Sequence, residues 1–133
     1  MSSPPDRISI ERSLTQAEFD LFARLSGDDN PIHVDPDFSA RTRFGRTVAH
    51  GLYLCSILRG LAGQVRPGSR QLSQDVRFPA PTYTGEMMRF FASVDSEAGG
   101  VTRIAVMAAR VDDGTVTCEG IFEMGGRHDP AGR

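Results

Sequence analysis

Apolar residues recur at a helical spacing from Leu14 onwards, along one face of the segment. Thr15 can accept a hydrogen bond from the amide of Glu18 while the Glu18 carboxylate reaches back to Thr15, which is the capping box of a helix start. Glycine favours the left-handed backbone conformation that ends many helices, and Gly27 occupies such a position. The pattern therefore predicts a first helix that starts at Thr15 and stops at Gly27.

The segment VAHGLYLCSILRGLAG is apolar on almost every side. From Leu52 to Leu61 only Ser56, Arg59 and Gly60 interrupt the apolar residues. A helix that is apolar all round is a buried helix. We therefore expect a long central helix at the core of the domain.

After this helix the pattern changes to strand-like runs, in which apolar and polar residues alternate in part. Four such runs follow, and RISIER near the N-terminus adds another, which gives about five strands. The turn before the last run contains Asp112, Asp113 and Gly114, which suit a hairpin. This order of elements predicts an α+β fold in which an antiparallel sheet wraps around the long helix. The four runs are LSQDVRFPAP, EMMRFFASVDS, VTRIAVMAARVDD and GTVTCEGIFEM.

The chain has 133 residues, enough for one domain with a substantial core and too few for two ordinary domains. Residues 1–6 are rich in serine and proline, and residues 125–133 lack an apolar pattern. We expect both ends to be flexible tails. His128 falls in the second tail and is expected to be a solvated residue without a role.

The composition argues against several classes of protein. A formal net charge of −2 is untypical of a general nucleic-acid-binding protein, and no apolar run approaches the length of a membrane span. The N-terminal MSSPPDR has no apolar segment, so we expect no signal peptide. Cys55 and Cys118 lie in apolar contexts without Cys-x-x-Cys spacing, which predicts two reduced core cysteines and a cytoplasmic location.

The segment SGDDNPIHVD, residues 26–35, carries the candidate chemistry. It does not fit a calcium loop, because Ile32 and His33 stand where an oxygen ligand and a glycine are needed. The chain offers neither His-x-x-x-His spacing nor paired cysteines for zinc, so we expect no metal and no cofactor. A polar turn from Asp28 to Asn30 explains the first half of the segment.

His33 is not explained by a turn, because it lies between two β-branched apolar residues. A half-buried imidazole there needs a hydrogen-bond partner, and the nearest acidic residue across the turn is Asp28. A carboxylate and an imidazole in a partly dry site form an acid/base pair that works near neutral pH. Asp28 and His33 are therefore the candidate catalytic pair.

The segment GDDNPIH, residues 27–33, resembles the motif of a known family. It matches every fixed position of Gly-Asp-x-Asn-Pro-x-His in the MaoC-like and (R)-specific enoyl-CoA hydratases, which have the hot-dog fold. The tripeptide AHG at positions 49–51 and the segment DVRFPAPTYTGE also look like that family. The resemblance covers roughly residues 13–124, and the order of elements predicted above agrees with it independently.

The resemblance implies hydration of a trans-2-enoyl thioester, or the reverse dehydration of an (R)-3-hydroxyacyl thioester. By carry-over from the motif, Asp28 and His33 hold one water and Asn30 orients the pair. The amide of Gly51, at the start of the central helix, binds the thioester oxygen as an oxyanion-hole donor. His50 is expected either to line the pocket or to serve in capping and packing.

The chain departs from the family at one position of the central helix. Members often carry a small polar residue near the reacting groups, where this sequence has Arg59. Ser56 lies one turn earlier and can substitute if the register differs, so both are candidate pocket residues. An arginine in the site favours a charged or unusual acyl group, or no catalysis.

Two alternatives to a CoA-linked hydratase stay open. One is a dehydratase for intermediates bound to an acyl-carrier protein in fatty-acid or polyketide assembly. Arg41, Arg43 and Arg46 suit CoA phosphates, an acidic carrier protein or simply a solvated basic face. The other is a non-catalytic subunit that binds acyl thioesters, and the intact acid/base pair counts against it. The resemblance also implies a homodimer, in which two sheets join edge to edge with the site near the interface.

Overall fold

Five strands and four helices form the part of the chain that the computed structural model describes, residues 3–127. The strands form one antiparallel sheet in the order β1-β3-β4-β5-β2. The α+β hot-dog architecture expected from the sequence is confirmed. In chain order the elements are β1 (Arg7–Ser13), α1 (Gln16–Ser26), α2 (Pro31–Val34), α3 (Pro36–Ala40), α4 (Gly51–Val65), β2 (Ser69–Arg77), β3 (Met87–Ala98), β4 (Val101–Arg110) and β5 (Val116–Arg127).

Helix α4 is the central helix, and it packs against β1, β3, β4 and β5. It is longer than the predicted span, since it continues past Leu61 to Val65. Its buried side chains interdigitate with the inward-facing residues of the strands. The core cluster contains Leu14, Phe19, Leu54, Leu58, Leu61, Ala62, Val65, Met88, Phe90, Ala92, Ile104, Val106, Ala108, Cys118, Phe122 and Met124.

Helix α1 begins and ends where the sequence predicts. Thr15 accepts a hydrogen bond from the amide of Glu18, and the Glu18 side chain accepts one from the amide of Thr15. Gly27 ends the helix in the left-handed conformation, with φ at 82°, and its amide donates to the carbonyl of Ala23. These local contacts set the direction in which the chain enters the GDDNPIH segment.

The predicted C-terminal tail starts too early. Strand β5 continues to Arg127, and Gly125 is paired with Arg70 on one side and with Val101 on the other. Backbone pairing to two neighbouring strands holds this glycine in the sheet, although the local pattern of side chains gives no strand signal. At the other end, the Asp6 carbonyl accepts the amide of Val94, so residue 6 is also held. Residues 1–2 and 128–133, with His128, lie outside the described residues.

Both cysteines are buried and free, as predicted, Cys55 on α4 and Cys118 on β5. Among the described residues, none of the helices combines the length and the apolar character that crossing a bilayer requires. The cytoplasmic location stays a prediction.

Candidate active site

The GDDNPIH segment folds as a loop followed by one short helical turn. Asn30 caps α2, because its side-chain oxygen accepts the amide of Ile32 at 3.1 Å and its carbonyl accepts the amide of His33 at 2.9 Å. Pro31 starts the turn at the position where a proline costs no hydrogen bond. Asn30 therefore positions His33 through the backbone. Direct orientation of the acid/base pair by its side chain stays a prediction.

The hydrogen-bond partner of the His33 ring is not Asp28, as the sequence suggested, but a main-chain carbonyl. Nδ1 of His33 lies 2.8 Å from the carbonyl oxygen of Val48, whereas Nε2 lies 4.0 Å from the nearer Asp28 carboxylate oxygen. A carbonyl only accepts, so Nδ1 carries the hydrogen and Nε2 of the neutral ring presents a lone pair. The prediction that Asp28 is the hydrogen-bond partner was wrong, because Val48 is fifteen residues away and local sequence patterns do not predict such a contact.

The 4.0 Å gap between Nε2 of His33 and Asp28 suits a shared water. One oxygen atom can stand about 2.8 Å from both groups and donate a hydrogen bond to each. The His33 side chain is 15% exposed and that of Asp28 is 56% exposed, so the pair opens to solvent on the Asp28 side. A water held in this way has its own lone pairs free to attack an electrophile.

Gln16 supports His33 from behind, a role that no sequence pattern indicated. Its side-chain amide donates to the carbonyl of His33 at 2.8 Å, and its side-chain oxygen accepts the hydroxyl of Thr47 at 2.6 Å. Thr47 in turn pairs with Thr84, whose amide donates to the carbonyl of Thr47 at 3.1 Å. The start of α1, the site loop and the segment before β3 are therefore tied together beneath the imidazole.

His50 lies directly against the candidate pair, Asp28 and His33. It is 2% exposed, its Nε2 lies 2.8 Å from the main-chain oxygen of Asp28, and its ring stacks on His33 with 3.9 Å between centroids. Burial lowers the pKa of His50, the hydrogen bond to the Asp28 carbonyl raises it, and the neighbouring His33 lowers it. His50 lines the cavity and its ring also packs between Phe22 and His33, while its side chain makes no capping hydrogen bond.

Asp28, His33 and His50 are also a potential metal set, since one ligand atom from each lies within 4.8 Å of the others. The spacing of residues in short motifs did not predict this set, because His50 is distant from Asp28 and His33 in the sequence. Nε2 of His50 and Nδ1 of His33 face main-chain carbonyls at 2.8 Å, so a metal would have to be ligated by the other two ring nitrogens and the Asp28 carboxylate.

Gly51 is the first residue of α4 and lies on the wall of the same cavity. Amides in the first turn of a helix have no intrahelical acceptor, and the positive end of the helix dipole adds to their pull on an anion. The ring of Phe78 covers the glycine closely, because a Cβ atom at this position would stand 2.8 Å from the Phe78 Cζ atom. Gly51 therefore lies on the cavity wall at the positive end of α4, and its lack of a side chain serves packing.

The cavity that these residues share has a volume of about 400 Å³. Ser56 and Arg59, the candidate pocket residues on α4, do not line it. The Ser56 hydroxyl donates to the carbonyl of Leu52 one turn earlier, and the Arg59 guanidinium donates to the carbonyl of Ser69. Besides the site residues, the lining includes Phe44, Leu52, Leu54, Phe78, Thr82 and Thr117.

A hot-dog fold with an Asp/His pair beside the start of its central helix defines the class of the MaoC-like proteins. The family model described as MaoC like domain matches residues 4–115, so this chain belongs to that family. The sequence is 46% identical over 79 residues to the (R)-specific enoyl-CoA hydratase of Aeromonas caviae, which is 58% of this chain and 59% of that protein. It is 35% identical over 81 residues to the 3-hydroxybutyryl-CoA dehydratase of Methylorubrum extorquens, 59% of this chain and 52% of that protein.

Solved structures give the same result for the fold. The (R)-hydratase from A. caviae superimposes with a TM-score of 0.85 at 29% identity and covers 94% of this chain and 97% of that one. An unliganded R-hydratase from Pseudomonas aeruginosa also has a TM-score of 0.85, at 24% identity, covering 96% of this chain and 84% of that one. In sequence, the chain matches between 52% and 59% of the length of the two curated relatives above.

Proposed function

We propose that the protein adds water to trans-2-enoyl thioesters, or removes it from (R)-3-hydroxyacyl thioesters, with CoA-linked substrates favoured. The observation that carries the proposal is the arrangement of three groups around one cavity. These are the lone pair on Nε2 of His33, the Asp28 carboxylate 4.0 Å from it, and the first amide of α4 at Gly51.

The reaction follows from those positions. The shared water donates its hydrogens to Nε2 of His33 and to the Asp28 carboxylate, and its oxygen bonds to C3 of the enoyl group. One of its protons passes to the pair, the C2–C3 double bond opens, and the negative charge moves to the thioester oxygen. C2 then takes a proton from the pair, which returns to its starting state, so that one water has been added.

The charge on the thioester oxygen needs a donor that is fixed in advance. The Gly51 amide supplies one, and the α4 dipole favours the same negative charge. The apolar lining, with Phe44, Leu54 and Phe78, gives the acyl chain a place away from water. Relatives described as an (R)-specific enoyl-CoA hydratase and a 3-hydroxybutyryl-CoA dehydratase support the same reaction in its two directions.

The test is direct. Purified protein is mixed with crotonyl-CoA and with longer trans-2-enoyl-CoAs, and the loss of the conjugated thioester absorbance is followed. We expect turnover that yields the (R)-3-hydroxyacyl product, identified by chiral chromatography. If no enoyl thioester of either carrier is turned over while acyl thioesters still bind, the chain is the non-catalytic binding subunit instead.

The carrier is a second question, for which Arg43 is the relevant residue. Its guanidinium lies 4.9 Å from the ring centroid of Phe44, and Phe44 lines the cavity. A cation at this rim suits a phosphate of CoA and equally an acidic acyl-carrier protein. The Arg43→Gln variant is therefore compared on crotonyl-CoA and on crotonyl-carrier protein, with Arg7→Gln as the control because Arg7 lines a different cavity.

A larger rise in KM with crotonyl-CoA than with the carrier-protein substrate supports the CoA-linked reading. The opposite order supports the carrier-protein dehydratase.

We also propose that the protein is a homodimer joined through β2. This strand is at one end of the sheet order, so one of its edges has no partner strand within the described residues. Three large apolar side chains on or near β2 and the start of α4 are exposed: Leu52 at 62%, Leu72 at 50% and Phe78 at 45%. Exposed edges and apolar patches are typical of interaction surfaces. Leu52 and Phe78 also line the cavity, so such an interface would border the site.

A further inference from the structure

Among the described residues, His50 is the imidazole near the site that the reaction above does not use. It is almost fully buried at the start of α4, yet its side chain does not cap the helix. Instead the ring lies between Phe22 of α1, with centroids 4.8 Å apart, and His33, with centroids 3.9 Å apart. A polar ring in such a place needs its nitrogens accounted for.

The two ring nitrogens of His50 differ in their hydrogen-bond partners. Nε2 lies 2.8 Å from the carbonyl oxygen of Asp28, and a carbonyl only accepts, so this nitrogen carries a hydrogen. Nδ1 is buried and has no hydrogen-bond partner among the described residues. A hydrogen on Nδ1 would have no acceptor, and a buried donor without an acceptor is costly. The surroundings therefore select the neutral ring with its hydrogen on Nε2.

The same ring contacts both members of the catalytic pair, in two different ways. It holds the Asp28 backbone through Nε2 and holds the His33 ring through its face. When His33 takes a proton from water, the resulting cation lies on the π face of a neutral ring, which is an attractive arrangement. A charged His50 would repel that cation instead.

We propose that His50 is a positioning residue that sets the spacing of Asp28 and His33 as a neutral, Nε2-protonated ring. This inference rests on the proposed hydratase reaction for its kinetic consequence, but its structural part does not. Nothing in the proposed role requires His50 to touch the substrate. Its effect on turnover passes through the main-chain oxygen of Asp28 and the ring of His33.

Two substitutions separate this role from simple packing. His50→Phe keeps a flat ring against Phe22 and His33 but removes the hydrogen bond to Asp28. His50→Gln loses the ring but keeps an N–H donor at a similar distance along the side chain. We expect His50→Phe to lower kcat by at least about tenfold, with little change in KM, and His50→Gln to retain more kcat than His50→Phe. A packing role gives the reverse order, since the phenyl ring fills the space and the glutamine does not.

The tautomer is tested without any substrate. Long-range ¹H–¹⁵N spectra of the labelled wild-type protein identify which nitrogen of His50 carries the hydrogen, with His50→Gln used to assign the signals. A neutral ring with hydrogen on Nε2, together with a kcat of His50→Phe below that of His50→Gln, supports the proposal. Hydrogen on Nδ1, or a His50→Phe enzyme with kcat within about twofold of wild type, overturns it. Because the spectra do not depend on turnover, a failure of the hydratase proposal would leave this result readable.

Discussion

The ring of Phe78 lies so close over Gly51 that a Cβ atom on the glycine would stand 2.8 Å from the Phe78 Cζ atom. The glycine thus permits close packing of a phenyl ring and, in the proposed reaction, would also give a thioester oxygen access to the first amide of α4. Phe78 is 45% exposed, so the ring has room to move. The two roles can therefore be separated by substitution.

We expect Gly51→Val to cost roughly 2.7–4 kcal/mol of transition-state stabilisation, the range for loss of one oxyanion donor. The double variant Gly51→Ala with Phe78→Ala removes the packing conflict, and Phe78→Ala alone is its matched control. If Gly51 is a donor, the double variant stays well below Phe78→Ala in kcat/KM, because the added methyl group still blocks the approach. Equal kcat/KM in these two folded proteins, checked by circular dichroism, would make Gly51 a packing residue only.

Substitution of either candidate catalytic residue should abolish most of the proposed activity and leave the fold intact. Asp28→Asn and His33→Gln are each expected to lower kcat by ~10²–10⁴-fold, the contribution of a positioned acid or base. Asp29→Asn is the matched control, since Asp29 is a neighbouring exposed carboxylate that does not line the cavity. Near-wild-type turnover by either folded variant would end the assignment of this pair.

The stability of the protein should depend on pH through His50. Burial keeps the pKa of His50 below its ordinary value of 6.5 in the folded state, and the titratable groups that face it are Asp28 and His33. As the pH falls through the ordinary value, the unfolded chain takes up a proton that the folded chain does not. The folded state therefore loses stability towards acid, by at most about 1.4 kcal/mol per pH unit from this residue, until the folded pKa is reached.

Urea unfolding of wild type and of His50→Gln measures this effect. The free energy of unfolding of wild type minus that of His50→Gln should be constant above about pH 7.5. It should fall as the pH is lowered towards about 5. Parallel curves over the whole range would mean that His50 titrates in the folded protein as it does in the unfolded chain.

Gly120 of β5 allows the close approach of β2. A Cβ atom there would overlap the main-chain oxygen of Asp75 and stand 2.7 Å from the Cα atom of Val76. Gly120→Ala must push the two strands apart, and we expect a loss of roughly 1–3 kcal/mol in the free energy of unfolding. Gly126→Ala in the same strand is the control, since its Cβ would meet nothing within 4 Å, and a change under about 0.5 kcal/mol is expected. Equal unfolding midpoints in urea for the two variants would contradict the claim that Gly120 is needed for the close approach of β2.

The proposed dimer is tested at Leu72 of β2. Wild type should have the mass of two chains in light scattering at micromolar concentration, and Leu72→Glu should shift it towards the mass of one, because a charge would be buried at the joined edge. Leu21→Glu is the matched control, since Leu21 on α1 is 47% exposed, close to the 50% of Leu72. A monomeric wild type, or a Leu72→Glu protein that keeps the dimer mass, rules out this interface.

Signals that lie close together in sequence predicted much of the fold. The capping box of Thr15 and Glu18, the stop at Gly27 and the strand-like runs all depend on neighbours a few residues apart, and each was confirmed. The end of β5 was not predicted, because Gly125 is held by backbone pairing with Arg70 and Val101. Such pairing leaves no pattern in the local sequence.

The site was predictable in its residue types but not in its contacts. Asp28, His33, His50 and Gly51 do line one cavity. The partner of the His33 ring and the support from Gln16 could not be found, because both are contacts between distant segments through main-chain oxygens. The direction in which a side chain leaves a buried helix could not be predicted from the sequence either. The donation of Arg59 to the carbonyl of Ser69, away from the cavity lining, follows from how α4 meets β2.

Three main-chain oxygens accept the hydrogen bonds that hold His33 and His50 in place. Val48 accepts from the His33 ring, Asp28 accepts from the His50 ring, and His33 itself accepts from Gln16. A residue that acts through its carbonyl keeps that function whatever side chain it bears. Val48→Ala would therefore report the loss of a buried side chain and not the loss of the acceptor, whereas a one-residue insertion or deletion beside it would displace the acceptor and uncouple the pair. In a set of relatives, the length of this segment should vary less than its residue identities.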